Sequence, residues 1–389
     1  MSWPKKVHQT IKKLHKVNYL LKQSFTGRDQ AVDLLILSTI SQEHLLFVGD
    51  PGTAKTEIIN RFTEMVDARG FHYLLTRFTE PSELFGPLDL AEFKEGKFSI
   101  RTDKMLPEAE IAFLDEVFQG SSAILNSLLT ILNERMFFNG FKHQAVPLIS
   151  MVGASNLIPD DPWLRAFADR FVLRLEMNSI EDDFIDDLLE RGWQLERDKI
   201  DAVKRSLDGQ AKGTEVKQLS VSELMALNAR LLEVNLSSIR PLYGRLIREF
   251  RAEGVSLSDR GAVKGLKLIA AACLLRESDT ADVPDLWPLL HIWDRPEEAD
   301  VLKEIIHPRL IDAGVDTIDA KRPVADILVD LETLQTQTHL LTTESALGAH
   351  LMAINKLRTE IINDHPKDLA ARNKIESVIK DELKRFEGK

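Results

Sequence analysis

Residues 45–56 constrain this chain more than any other stretch. Leu45-Leu-Phe-Val48 is wholly apolar, Gly49-Asp-Pro-Gly-Thr-Ala-Lys55-Thr56 follows it, and an amphipathic pattern continues over Ala54–Val66. A buried strand, a glycine-rich loop and a helix start form the setting in which backbone N–H groups wrap phosphates. There Gly49, Asp50, Pro51, Gly52, Thr53 and Ala54 make the cradle, Lys55 reaches the outer phosphates of a nucleotide, and the Thr56 hydroxyl ligates Mg2+. The strict pattern has Gly directly before the Lys, where this chain has Ala54. Alanine suffices there if the residue has helical dihedrals, since only a positive φ demands glycine.

The surroundings fit. Leu45–Val48, Phe71–Leu75, Ile111–Leu114, Leu148–Val152 and Phe171–Leu175 are short apolar runs between longer helical patterns. Such runs predict buried strands of a parallel sheet, hence an α/β domain with crossover connections over 29–178. Ile111-Ala-Phe-Leu-Asp115-Glu116 ends in two carboxylates. Acids at the ligand edge of a parallel sheet suit a metal-holding Asp115 and a Glu116 that polarises the attacking water. Asn156 ends another strand, where a plain turn residue and a group beside Glu116 both fit the pattern. Arg165 and Arg170 fall on the next helical stretch, as surface ion-pair partners or as cationic help for phosphoryl transfer.

From 179 to 308 no strand pattern appears. A Ser220/Glu223 capping box precedes Leu224, Leu227 and Leu231, Pro241 opens a second helix, and Ser258 caps a third. Gly209–Gly213 reads as a loop. Over 309–389, Ile327, Leu331, Leu334 and Leu341, then Leu347, Leu351, Ile354 and Ile361, then Ile375, Ile379, Leu383 and Phe386 keep near-heptad spacing. Breaks at Thr342–Ser345 and Asp364–Pro366 predict a helical bundle or hairpin. The first 28 residues carry Lys5, Lys6, Lys12, Lys13, Lys16, Lys22 and Arg28, with Val7, Ile11, Leu14, Val17 and Leu21 on one helical face. A basic solvated face on a helix packed against the next domain is preferred to a lipid or acidic-partner surface. His8 and His15 are placed on that solvated face.

Composition removes other classes. The single Cys273 permits no intrachain disulfide and no multi-cysteine zinc site, and it reads as a packing residue. The longest apolar run, Leu268–Leu275, is far short of the ~20 residues of a membrane span, and no secretory leader is evident, so a cytoplasmic protein is expected. A net charge of −11 argues against nucleic acid as a partner. Neither His-Glu-x-x-His nor Gly-x-Ser-x-Gly occurs.

Several longer runs together resemble the MoxR family of AAA+ ATPases, with the RavA subgroup the nearest likeness. They are Gly49–Thr56, Thr76-Arg-Phe-Thr-Glu-Pro-Ser-Glu-Leu-Phe-Gly-Pro-Leu88, Leu106–Glu116, Ala123–Arg135 and Ala154-Ser-Asn156. Alanine before the lysine is usual in that family. The resemblance implies an AAA+ core, an all-helical lid, a homohexameric ring with ATP and Mg2+ at subunit interfaces, and ATP turnover that remodels a protein client. It makes Asn156 sensor 1 and Arg170 an arginine finger reaching the neighbouring subunit, ranked above Arg165. Arg260, in Ser258-Asp-Arg260, becomes a sensor 2 touching the γ-phosphate in cis. An insert would fall at Ala91–Met105 with a hairpin turn at Glu95-Gly96, and a second loop at Phe137–Ala145, making Phe93, Phe98 and Phe138 pore-side or packing residues. The β-rich insertion of full RavA proteins has no room at Thr342–Ser345, so its partner is not implied. A von Willebrand factor A domain protein is the partner type that the family suggests. A nucleotide-gated scaffold and, less so, a nucleic-acid motor are the alternatives.

Overall fold

The computed structural model describes residues 3–180, 185–207 and 218–315, and beyond them 327–328, 331, 334–335, 350, 354, 357–358, 361 and 369–387. The expected loop Gly209–Gly213 and the breaks Thr342–Ser345 and Asp364–Pro366 lie outside the described residues. The strands are β1 (Leu45–Val48), β2 (Gly70–Leu74), β3 (Ile111–Asp115), β4 (Met136–Asn139), β5 (Lys142–Ala145), β6 (Ser150–Ser155) and β7 (Leu173–Glu176). The first six helices are α1 (Lys5–Ser24), α2 (Asp29–Ser41), α3 (Lys55–Met65), α4 (Pro81–Phe85), α5 (Leu90–Lys94) and α6 (Ser122–Glu134). The rest of this part adds α7 (Pro162–Ala168), α8 (Ile185–Leu207), α9 (Val221–Arg230), α10 (Arg240–Ala252), α11 (Asp259–Leu275) and α12 (Pro296–Asp312).

Five strands form one all-parallel sheet in the order β2-β3-β6-β1-β7, so the α/β fold expected from the apolar runs is the fold observed. β1 is buried at every position because β6 and β7 flank it and helices cover both faces. β2 is the edge strand and alternates exposed and half-buried, which blurs its apolar signal. The register pairs Leu45 with both Val152 and Leu173, and Leu114 with Gly153. The carboxyl ends of β1, β3 and β6 therefore open on one edge, where ligands of such sheets bind. β6 and β7 each start two residues later than the apolar runs suggested, at Ser150 and Leu173.

The chain forms two compact units, Met1–Val315 and Asp316–Lys389. In the first, α1, the sheet and the helices α9 to α12 share one hydrophobic core. The predicted face of α1 is the buried one, with Val7, Ile11, Leu14, Val17 and Leu21 inside. Its basic side pairs within the chain, Lys13 with Glu223 at 2.6 Å and Lys22 with Asp33 at 2.7 Å. His8 and His15 are not simply solvated as expected. His8 Nδ1 lies 2.7 Å from Glu277 Oε2 and His15 Nε2 lies 3.1 Å from the Leu275 carbonyl, both at the end of α11. The capping box at Ser220 and the cap at Ser258 form as the sequence predicts. In the second unit Ile327, Leu331, Ile354, Leu357, Ile361, Ala371, Ile375 and Val378 bury one another, the last three on the helix Leu369–Glu387.

Candidate functional site: a phosphate loop at the carboxyl edge of the sheet

The loop 49–54 joins β1 to α3 and is shaped by three left-handed residues, Gly49 (φ 136°), Gly52 (φ 82°) and Ala54 (φ 65°). Gly49 must be glycine for a second reason: a Cβ there would lie 2.4 Å from the Met177 carbonyl, which β7 holds in place. Its N–H donates to Ser155 O at 3.0 Å, and Met177 N–H donates to Val48 O at 2.7 Å, so both neighbouring strands clamp the loop base. Ala54 corrects the sequence reading. It is the left-handed cap in front of α3 and has none of the helical dihedrals assumed for it. Ala54 is an exposed residue. Asp50, Pro51 and Gly52 are exposed, whereas Thr53 is buried, its hydroxyl donating to Asp50 O at 3.1 Å.

Lys55 opens α3 and is nearly buried, 7% exposed. Its ammonium donates to Gly49 O at 2.5 Å and to Asp50 O at 3.1 Å, so it folds back over the loop. Among the described residues no carboxylate lies within ion-pair distance of it. Burial pushes its pKa below the usual lysine range, while Asp115, Glu116 and Asp50 act the other way. A largely buried cation resting on carbonyls, inside a loop of left-handed turns at a helix start, fits an oxyanion of a phosphate chain. Thr56, on the first turn of α3, is partly buried at the same mouth.

Asp115 ends β3 and Glu116 follows it in a left-handed conformation (φ 50°, ψ 45°). In that turn Asp115 Oδ1 accepts the Glu116 N–H at 3.0 Å. Left-handed backbone at a non-glycine residue costs about 1–2 kcal/mol and clusters at functional sites. Burial raises the Glu116 carboxyl above the ordinary glutamate range, and Asp115 adds to the effect against the pull of Lys55. Asn156 is exposed just past β6, the strand paired with β3 and β1. Sheet order alone therefore brings Lys55, Asp115, Glu116 and Asn156 to one edge.

Sequence reasoning missed Arg28. It sits at the start of α2 behind Gly27 (φ 64°), donates to Asn178 O at 2.9 Å, and keeps a buried Nε without a hydrogen-bond partner. Its positive charge, the same sign as that of Lys55, adds to the lowering of the Lys55 pKa. A glycine-cation pair at a helix start, two elements before the loop, was the available signal.

The arginines are arranged differently from the expectation. Arg165 lies on α7 and pairs with Asp160 at 2.5 Å, whereas Arg170 stands beyond the end of that helix. Arg170 Nη1 donates to Asp169 Oδ2 at 3.1 Å, and Arg260 Nη1 approaches the same oxygen at 3.4 Å. Burial and the Arg260 charge lower the Arg170 pKa. One carboxylate thus holds both guanidinia of one chain. The separate roles implied by resemblance, Arg170 toward a neighbour and Arg260 toward its own site, are hard to reconcile with a shared counter-ion.

The insert is no simple hairpin. Leu88 bridges Ile100, and Asp89 caps α5 through Ala91 N and Glu92 N, so a short helix occupies the segment where strands were expected. The segment expected as a loop, Phe137–Ala145, is instead part of the antiparallel β4–β5 hairpin, and Asn139 ties it to the insert: its Oδ1 accepts Ile100 N–H at 2.6 Å and its Nδ2 donates to Ile100 O at 2.9 Å. Phe93, Phe98 and Phe138 are about half exposed, at 54%, 50% and 52%, and Phe141 at the hairpin tip reaches 95%.

Comparison with known proteins agrees with this geometry. The model of the MoxR domain in MoxR-vWA-beta-propeller ternary systems matches residues 12–220, more than half of the chain. Two uncharacterised proteins of Methanocaldococcus jannaschii are 36% and 34% identical, over 73% and 77% of this chain and 72% and 74% of theirs. The chaperone MoxR1 of Mycobacterium tuberculosis is 24% identical over 42% of this chain and 44% of its own. The crystal structure of a candidate ATPase from Cytophaga hutchinsonii superposes with a TM-score of 0.60 at 17% identity, covering 79% of this chain and 96% of that one, a likeness of fold. With this sheet, this loop and these relatives, the chain belongs to the MoxR family of AAA+ ATPases.

Proposed function

We propose that this protein hydrolyses ATP as a ring ATPase and spends the turnover on remodelling or activating a protein client. The observation that carries the reading is the Lys55 ammonium resting on loop carbonyls at the sheet edge where β3 ends in Asp115 and Glu116. The loop N–H groups and Lys55 hold the phosphates, and Thr56 and Asp115 would hold Mg2+, whose chemistry is to neutralise charge on the phosphate oxygens. Glu116, whose carboxyl is already biased toward accepting a proton, orients and deprotonates the water. Asn156 positions that water from the neighbouring strand. Arg170, joined by Arg260, comes from an adjacent copy and stabilises charge on the transferring oxygens. The family description makes a von Willebrand factor A domain protein the partner to test first.

The test is Mg2+-dependent phosphate release by wild type, Lys55→Ala and Glu116→Gln, beside binding of a fluorescent ATP analogue. Turnover lost in both variants, with binding lost only in Lys55→Ala, supports the assignment. Turnover that survives Glu116→Gln contradicts it, and binding that assembles subunits without turnover would favour a nucleotide-gated scaffold.

A further inference from the structure

The turn after α7 is held by more charge than a helix end requires. Asp169 Oδ2 takes Arg170 Nη1 and Arg260 Nη1, at 3.1 and 3.4 Å, and Oδ1 takes the Ser258 hydroxyl at 3.1 Å. Ser258 in turn accepts Gly261 N–H at 3.0 Å, so the Asp169 carboxylate bonds directly to the cap of α11. The turn's carbonyls are tied as well: Ala168 O accepts Arg174 Nη2 at 3.0 Å and Arg170 O lies 3.5 Å from Lys264 Nζ. Arg174 is buried in β7 and also pairs with Asp294 at 2.7 Å, which anchors that side. Ser258, Arg260 and Lys264 all belong to α11 or its cap, whereas Asp169, Arg170 and Arg174 belong to the segment from α7 to β7. One carboxylate therefore fastens two separate elements to each other.

Two guanidinia on a single carboxylate leave a net positive charge that is still open to solvent. Arg260 is 47% exposed, Asp169 36% and Arg170 17%. Without the carboxylate the two cations would repel, and long arginine side chains would adopt many rotamers. With it they form a preset fork for a further anion.

We infer that Asp169 is a positioning residue: it binds Arg170 and Arg260 into one pair, which a subunit presents to the phosphates of the adjacent copy, and it makes movement of α11 move the pair. This rests on the ring-ATPase reading above. It also replaces a cis sensor with two arginines delivered together.

The test uses the full-length protein with Asp169→Asn, which keeps the shape and the bond to Ser258 but removes the charge. A misplacement of catalytic groups by about 1 Å costs on the order of 10²-fold in rate. The expected result is a kcat lower by about that factor, with KM for ATP and affinity for a fluorescent ADP analogue changed by less than about twofold. Mixing with Glu116→Gln subunits, inactive by themselves but with intact arginines, restores turnover to Asp169→Asn subunits. Ser258→Ala, which touches neither arginine, shows a smaller kcat loss restored in the same way and keeps the test open should Asp169→Asn fold poorly. An unchanged kcat in Asp169→Asn overturns the inference. So does a loss that mixing fails to restore while Arg170→Ala is restored. Should Arg170→Ala also resist restoration, the shared-site reading falls, and this inference falls with it.

Discussion

Replacing Ala54 by glycine should stabilise the first unit, and the sign of the effect tests the loop geometry. Ala54 has φ 65° and ψ 16° and is an exposed residue, so its methyl group contributes little burial. A left-handed conformation costs an L-residue about 1–2 kcal/mol, a cost that glycine does not bear. Glycine loses about 0.5–1 kcal/mol more backbone entropy on folding than alanine. The difference leaves a net gain of about 0–1.5 kcal/mol for Ala54→Gly, with a midpoint of ~0.75 kcal/mol. Were Ala54 helical instead, the same change would cost about 0.8–1 kcal/mol. The two geometries therefore predict opposite signs, separated by well over 1 kcal/mol at their midpoints. Urea denaturation followed by tryptophan fluorescence suits the measurement, because all five tryptophans, at 3, 163, 193, 287 and 293, lie within Met1–Val315. A higher midpoint at unchanged slope is expected. A lower midpoint would refute the left-handed cap and restore the helical reading of the motif.

Further outcomes follow from the same residues. Because Glu116 acts in its ionised form and its pKa is raised, the acid limb of the kcat profile should lie above the ordinary glutamate range, and Glu116→Gln should lower kcat by about 10²–10⁴-fold. An acid limb at or below that range would remove Glu116 from the role of base. His44 is fully buried, takes Met151 N–H on Nδ1 at 3.1 Å, and is held well below the histidine range by burial and by Arg135. The unfolded chain binds a proton near pH ~6.5 that the folded chain does not, so stability is full above that pH and falls below it, by up to about 1.4 kcal/mol per pH unit. Urea midpoints taken from pH 7.5 down to ~5.5 should show this slope, and it should be weaker in His44→Gln. Cys273 is buried, donates to Ser278 O at 3.3 Å, and has its thiol pushed up to about 12, so iodoacetamide at pH ~8 should label it only in denaturant. Fast labelling of the native protein would show α11 opening.

What the sequence disclosed depends on how local each signal is. The parallel sheet was legible because both faces are buried, so each central strand reads as an apolar run, as in Leu45–Val48 and Ile111–Leu114. The face of α1 and the caps at Ser220 and Ser258 were legible for the same reason, since helical period and capping chemistry act within a few residues. Backbone hand was not. Ala54 and Glu116 are both left-handed, yet neither residue type announces it, because tertiary clamps such as Met177 O against Gly49 impose the loop path. The pairing of Arg170 with Arg260 was also hidden. It joins positions ninety residues apart through Asp169, and only the approach of the start of α11 to the turn after α7 brings them together. Arg28 escaped for a related reason, as its link to the loop runs through Asn178, far along the chain.

The central claim is that a complete catalytic site needs two copies of the chain, and the specific rate of ATP hydrolysis against protein concentration tests it most directly. For wild type the rate per subunit should climb with concentration to a plateau. Arg170→Ala should stay low at every concentration while binding nucleotide normally, and should recover when mixed with Glu116→Gln subunits. A rate per subunit that is flat with dilution and indifferent to Arg170 would contradict the claim and leave a self-contained ATPase.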